Sequence, residues 1–452
     1  MTVPLTTREQ LIDALHLAAE LEHNLMCQYL FAAYSMKKST SEGLDEVQLE
    51  RARGWEAQVT LVARQEMEHL GLVLNMLAAI GGTPTLTRPN FPQTVERYGA
   101  LGIRSVLTRF DAGTVERFQV FEEPHPSPPP SGYCDGPGVS KEDLLALLTQ
   151  PRVMSGPAPV PGEIPYTSVQ DLYVSLAAGF TYVSDTIGEK FLFDGDIGSE
   201  IWGGQGTPAE QPMDDLNQYG LDIIQVTDLA SAHQAIAEII EQGEGILAPP
   251  SYMEHVHYCI FTAVLDDLRA CGFDPARPVV DNPLVSMHPD ITAPDEVNLV
   301  TDPDTREVAE VFNDAYELML LLMLALYGST PKTEDESVAL MNAIFFPLMT
   351  MFVRPLAEIL TVLPAFDDGR PGNAGPGFEL SGDVVTAPAP GDVYDEFQGR
   401  FDALAADLAA LSIYGVRPPG DPVAVRLRYL AVNAQRLADD WRDKWTNIGT
   451  VS

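Results

Sequence analysis

Trp55, Val59, Val62, Glu66, His69, Val73 and Met76 recur at alternating steps of four and three, the spacing that puts every one of them on a single face of an α-helix. That face is apolar apart from Glu66 and His69, so both are predicted to lie inside. An earlier stretch repeats the arrangement: Leu11, Leu15, Ala18, Glu22, Leu25 and Tyr29 form a seam broken by one carboxylate. Burying an unpaired charge costs several kcal/mol, so each of these groups needs a partner. A capping-box pattern at Thr6-Thr7-Arg8-Glu9 opens the first helix, which runs to about Tyr34; the second spans roughly Asp45 to Ile80 and stops at Gly81-Gly82. A short connection near residues 39–44 makes the two antiparallel. Glu22 and Glu66 stand at nearly equal distances from that turn and should face each other.

The rest of the chain reads as further helices separated by proline-rich and glycine-rich connectors, with little strand alternation. The segment from 84 to 165 is rich in proline, with one short helix after Ser140, and connectors this long are more often functional covers than idle loops. Helical periodicity resumes over Ser168–Ile187, Asp228–Gln242 and Ser251–Ala270. Beyond a proline-bearing linker come two apolar helices, about Arg306–Tyr327 and Glu336–Leu363, and two closing helices after Asp392 and Pro422. The expected fold is all-α: a four-helix bundle within residues 1–274, covered by 84–165, with a helical region at 275–452 packed on it.

Two carboxylates and a histidine converging in a bundle core point to a metal. A dinuclear carboxylate site in a four-helix bundle takes a Glu from each of two helices and Glu-x-x-His from two others, because positions i and i+3 share a face. Glu66 and His69 have that spacing, and Glu22 is the facing carboxylate. The second half-site is expected downstream. His257 sits among apolar residues near a helix start, Glu244 shares the inward face of Ile236 and Ile240, and Asp171 heads the face continued by Val174, Ala178 and Tyr182. Glu254 also stands three residues before His257, but with Ser251 it makes a capping box and ranks below Glu244. A first-turn residue favoured by the helix dipole is the alternative for Asp171. A metal-free Glu/His/Arg hydrogen-bond network is the alternative for the whole cluster. Tyr29 reads first as core and second as a hydrogen-bonding neighbour of the site, and Arg64 and Arg354 read as surface residues.

Acidic and basic residues number 65 and 27, a formal charge of −38, which argues against nucleic acid and anionic membranes as partners. The run Leu318–Leu326 is too short to span a bilayer. Cys27, Cys134, Cys259 and Cys271 show no CxxC spacing, so neither a disulfide framework nor a thiolate zinc site is expected. The start lacks the pattern of a signal peptide, and a cytoplasmic location is expected. Carboxylates and imidazoles without thiolates suit Fe(II) or Mn(II), so two iron ions are the expected cofactor, with O2 and a small molecule as the reaction partners.

"LEHNLMCQYLFAAYS", "RQEMEHLGLVLNMLAAIGGTP", "SVQDLYVSLAAGF", "AIAEIIEQGEG", "HYCIF" and "GPGFEL" together resemble the ferritin-like domain family of the violacein- and rebeccamycin-pathway enzymes, the iminophenylpyruvate dimer synthase type. The resemblance covers most of the chain in the same order. It implies a ferritin-like bundle with Glu22, Glu66, His69, Asp171, Glu244 and His257 as metal ligands. Met26-Cys27 stands where the family pattern has a proline pair, and Asp171 stands where it has a longer Glu. No counterpart of the violacein enzyme's large partner domain is expected in these residues. The implied activity is O2-dependent oxidation or oxygenation of an amino-acid-derived small molecule in natural-product biosynthesis, by a monomer or small homo-oligomer. A ferroxidase or iron store, and a degenerate bundle serving as a binding scaffold, are the alternatives.

Overall fold

Thr7 caps the first helix, α1 (Arg8–Ser35), by accepting from the Gln10 amide, while the Gln10 side chain accepts from the amide of Thr6, the residue before the cap; the capping box expected at Thr6–Glu9 gives way to this simpler cap one residue later. A turn at Thr40–Glu42, ended by Gly43 at φ +88°, leads to the Asp45/Gln48 capping box of α2 (Glu46–Ala79). In the computed structural model the described residues are 5–102, 104–124, 128–129, 131–135, 141–149, 166, 168–195, 223–244, 256–327, 344–382 and 393–448.

Within the stretch expected to be mostly connector, Asp111 caps a further helix, α3 (Ala112–Phe121), which buries Val115, Phe118 and Phe121; α4 (Lys141–Leu148) is the short helix expected after Ser140. Ser168 caps α5 (Val169–Ile187). An Asp228/Ser231 capping box starts α6 (Leu229–Ile239), which runs on into a π-helical turn, Ile240–Glu244. Then follow α7 (His257–Ala270), α8 (Pro303–Leu326), a π-helical Ile344–Val353 continuing as α9 (Arg354–Leu360), α10 (Val393–Ala410) and α11 (Pro422–Ile448). The residues expected to cap α7, Ser251 and Glu254, lie outside the described ones. Two short strands, β1 (Pro283–Leu284) and β2 (Asn298–Leu299), pair in parallel.

The predominantly helical, all-α architecture is as expected. α1 packs on α2 and α5, and α6 packs on α2 and α5, which closes a four-helix ring. α3 packs on α7, and α7 in turn lies against α2, so this pair closes one flank of the ring. One continuous apolar cluster runs from α1 through α8 and α9 to Trp441 of α11. Every position of the two sequence seams is buried, carboxylates and histidine included. No helix among the described residues is long and apolar enough to cross a membrane.

The cysteine expectation is corrected. Cys134 and Cys259 form a disulfide that ties the turn at Tyr133–Asp135 to α7, with Cα atoms 5.6 Å apart. The partners are 125 residues apart, so only the fold brings them together. Spacing alone carries no information about such a pair.

Candidate metal centre

Glu66 is the hinge of the site. Its Oε2 lies 3.2 Å from His69 Nδ1, one helical turn along α2, and its Oε1 lies 2.9 Å from Nδ1 of His257, the first residue of α7. On the His69 side, α1 contributes Glu22, whose Oε2 is 3.5 Å from His69 Nδ1. On the His257 side the third carboxylate is Glu122, which follows the last residue of α3, with Oε2 at 3.3 Å from His257 Nδ1. Two donor groups result, Glu22–Glu66–His69 and Glu66–Glu122–His257, sharing Glu66, with the ligand atoms of each group within 4.8 Å of one another. The imidazoles stack at 5.5 Å between centroids. Every one of these residues is at most 2 % exposed.

A surrounding shell holds the donors. Tyr173 of α5 donates its hydroxyl to Glu22, and Tyr29 of α1 donates to Glu122. His69 Nε2 lies 3.2 Å from Gln242 Oε1, and His257 Nε2 lies 3.3 Å from Gln65 Oε1. An amide oxygen only accepts, so each Nε2 donates outward to its glutamine; without a metal each Nδ1 likewise donates to the carboxylates, and it is the Nδ1 lone pair, once that proton leaves, that would face an ion. The backbone closes in from the π-helical turn: a Cβ on Gly243 would lie 3.3 Å from His69 and 3.5 Å from His257. Such π turns often mark functional sites in helices.

Three carboxylates and two imidazoles, buried together, perturb each other strongly. Burial, then the Glu66 charge, pushes Glu22 up to about 8. Burial also raises Glu122, against the pull of His257. For Glu66 burial acts upward too, but His257 and the surrounding hydrogen bonds hold it well below the usual carboxylate range. Burial works against a charge on His257, yet Glu66 and Glu122 outweigh it and raise the imidazole to about 9. His69 is raised as well, by Glu22 and Glu66 acting against burial. Glu22 Oε2 and Glu66 Oε1 make no well-aligned hydrogen bond, each facing an imidazole Nδ1, at 3.5 and 2.9 Å. Inward-facing carboxylate oxygens without an aligned donor, beside imidazole nitrogens that can give up a proton, are what a hard divalent cation requires, so the residues of each group fit a metal ion.

Of the residues expected at the site, the structure brings together Glu22, Glu66, His69 and His257. Asp171 is half-buried in the first turn of α5, where its amide takes the Ser168 cap, and neither donor group includes it. Tyr173, two residues on, is the α5 side chain that reaches Glu22. Glu244 ends the π-helical turn, and its side chain lies outside the described ones. Glu122 is not among the expected ligands. Its signal is present in "DAGTVERFQVFEE": Asp111 as cap, then Val115, Phe118 and Phe121 at helical spacing with the acid directly after. Tyr29 is both core and hydrogen-bond donor. Arg64 pairs with Glu68, and Arg354 with Glu56 and Glu358.

Among curated proteins, the chain is 30 % identical over 411 residues to dichlorochromopyrrolate synthase of Lentzea aerocolonigenes, covering 83 % of this chain and 36 % of that protein. It is 26 % identical over 413 residues to 2-imino-3-(indol-3-yl)propanoate dimerase of Chromobacterium violaceum, covering 86 % and 35 %. The chain thus spans about a third of the length of these relatives. A crystal structure of a ferritin-like protein from Caulobacter vibrioides is similar with a TM-score of 0.43 at 16 % identity, over 75 % of this chain and 94 % of that one. The family model described as Ferritin-like matches residues 15–266, which include every donor of both groups. The chain belongs to the ferritin-like family, alongside the pyrrolate synthase and imine dimerase whose motifs its sequence resembles.

Proposed function

We propose that this chain is an O2-dependent oxidative enzyme of natural-product biosynthesis that acts on an amino-acid-derived imino or amino carboxylate through a pair of iron ions. The observation that carries the reading is the shared carboxylate: Glu66 stands between two histidines, each with its own further carboxylate. His69 and Glu22 would hold one ion, His257 and Glu122 the other, with Glu66 between them. Bound iron would supply Lewis acidity and the electrons that O2 chemistry needs.

The chain's own residues do the rest. Tyr173 and Tyr29 fix the outer carboxylates, Gln65 and Gln242 fix the imidazole tautomers, and the apolar seams of α1 and α2 keep water out. The relatives' names, a synthase of a chlorinated pyrrolate and an imine dimerase, favour oxidative joining of two imines. Forming one new C–C bond that way releases two electrons and two protons, which pass to O2.

The test loads anaerobic protein with Fe(II), measures iron, then follows absorbance after an O2 pulse with and without an in-situ-generated indolyl imino acid. The expected result is about two irons per chain and product only in the presence of O2. Sub-stoichiometric iron that is unchanged in Glu66→Ala would overturn the metal pair. Full iron with no product from any imino acid would overturn the substrate class.

A further inference from the structure

α1 turns a second polar cluster away from Glu22. His23 and Cys27, one turn apart, meet Tyr316 of α8: His23 Nε2 shares a hydrogen bond with its hydroxyl, and Cys27 Sγ lies 3.2 Å from the same atom. Arg88, only 5 % exposed, reaches into this nest from the segment after α2. Its Nη2 donates to the Phe378 carbonyl and, at 3.4 Å, to the Tyr316 hydroxyl; its Nη1 donates to the Pro89 carbonyl at 3.1 Å; the guanidinium sits 4.5 Å from the Phe91 ring centre. None of these partners is an acid, and Arg88 Nε has no acceptor at all. A guanidinium does not give up its proton, so this buried charge rests on carbonyls, a phenol and the Phe91 and Tyr316 rings with no carboxylate beside it, an arrangement that an added anion would complete.

Space for one is present. Arg88 lines a cavity of about 290 Å³ whose other walls include Thr87, Asn90, Pro289 and Leu380. Pro289 and Asp290 are exposed and His288 is half-buried, so the mouth lies there and the buried end at Arg88. The acids nearby are already engaged: Asp290 accepts from the Asn90 amide at 2.6 Å, and Glu379 accepts from His288 at 2.8 Å. We propose that this cavity binds a small organic monocarboxylate, its carboxylate accepting from Arg88 at the buried end and its body lying against Thr87, Pro289 and Leu380. The volume is at the low end for small-molecule pockets. Asp290 at the mouth disfavours a second negative charge on the ligand, which selects against phosphates and dicarboxylates. The site is on the far side of α1 from the metal centre and stands independently of it.

The experiment titrates sodium benzoate, and its neutral analogue benzamide, into the metal-free full chain by calorimetry, in a Glu66→Ala background so that the metal centre contributes nothing. One saturable benzoate site is expected, with benzamide at least about tenfold weaker because a charge-assisted hydrogen bond is lost. Thr87→Phe, which fills the cavity and leaves Arg88 in place, should abolish benzoate binding. Arg88→Gln should reduce benzoate to the benzamide level. Equal affinity for the two probes, benzoate binding that survives Thr87→Phe, or no saturable binding would each overturn the proposal. Inorganic phosphate displacing benzoate at equal concentration would overturn the monocarboxylate class. Should Arg88→Gln fail to fold, the benzoate–benzamide pair and Thr87→Phe decide the matter alone.

Discussion

α1 hides charge on two faces, and the two faces solve the problem in opposite ways. Toward α2, α3 and α7 it presents Glu22 to a cluster with an excess of carboxylates, in which protons redistribute: Glu22 is pushed up to about 8 by burial and Glu66, and His257 to about 9 by its two carboxylates acting against burial. Toward α8 it presents His23 and Cys27 to Arg88, whose charge no proton transfer can remove. The first cluster can wait for a metal by holding protons. The second cannot wait in that way: its charge rests on two carbonyls, a phenol and ring faces, and the proposed carboxylate ligand would balance it. The sign of the uncompensated charge thus names the ligand class at each face.

The sharpest way to break this comparison is to remove one acid at a time. Glu66→Ala removes the carboxylate shared by both donor groups and should take iron from about two per chain to none, read by elemental analysis after desalting. Glu122→Ala touches only the His257 group and should retain roughly half. Arg88→Gln should leave iron content at the wild-type level. Iron loss in Arg88→Gln would mean that the two faces of α1 are one coupled site.

Next in size is the pH dependence of the metal-free chain. Glu22 keeps its proton in the folded state through a range where the unfolded chain has lost it, so folding binds a proton there and stability falls as pH rises from the ordinary carboxylate value toward about 8. His257 acts in the same sense: its contribution is complete below the ordinary imidazole value and is lost as pH rises through about 9. Thermal melts of metal-free protein should therefore move down between mildly acidic and mildly alkaline buffer. Glu22→Gln, which cannot ionise against Glu66, should be more stable than the wild type at alkaline pH by ~2–4 kcal/mol. Iron affinity should run the other way and rise with pH, because the metal must displace these protons. A wild-type melting curve flat across this window would show that the carboxylates are not sharing protons.

Much of this centre is legible in the chain because a helical seam exposes its own interruptions. Glu22, Glu66 and His69 break apolar faces of long helices, and their burial follows from periodicity alone. His257 is legible for the same reason. Glu122 is not, because its helix is only ten residues long and lies in a proline-rich stretch where the surrounding composition reads as loop. The acid also stands just past the helix end, where no seam continues to flag it. Asp171 shows the converse: the face expected to point inward, continued by Ala178 and Tyr182, is the outer one, with Tyr182 45 % exposed, and Tyr173 on the buried face is the α5 residue that reaches Glu22 while the Asp171 amide takes the cap. The Arg88 nest has no periodic signature because its parts come from α1, α8 and two loops. A disulfide across 125 residues is invisible for a similar reason.

Smaller effects test how the imidazoles are held. Gln65→Leu leaves every donor in place but removes the acceptor that keeps the proton on His257 Nε2. Such orienting partners typically change metal affinity by about 10–100-fold, and Gln242→Leu should do the same through His69. Competition with a chelator of known affinity reads both. An unchanged affinity would mean that the carboxylates alone orient the rings.

The gentlest probe is Gly243→Ala. The added methyl would sit 3.3 Å from His69, close enough that this ring must give by a few tenths of an ångström, and 3.5 Å from His257, an ordinary contact, so the fold need not move. Gly243 has no positive φ to defend, so an effect of the alanine comes from this contact and not from backbone strain. The fold should therefore be almost indifferent, with a change in stability within about 1 kcal/mol, while the absorption of the iron-loaded protein shifts because the His69 nitrogen donor turns. Destabilisation without a spectral change would place the methyl against the bundle and not against the rings. A spectral change without destabilisation is the outcome a backbone pressed onto the His69 ring predicts, and it separates a turn that shapes the site from one that merely ends a helix.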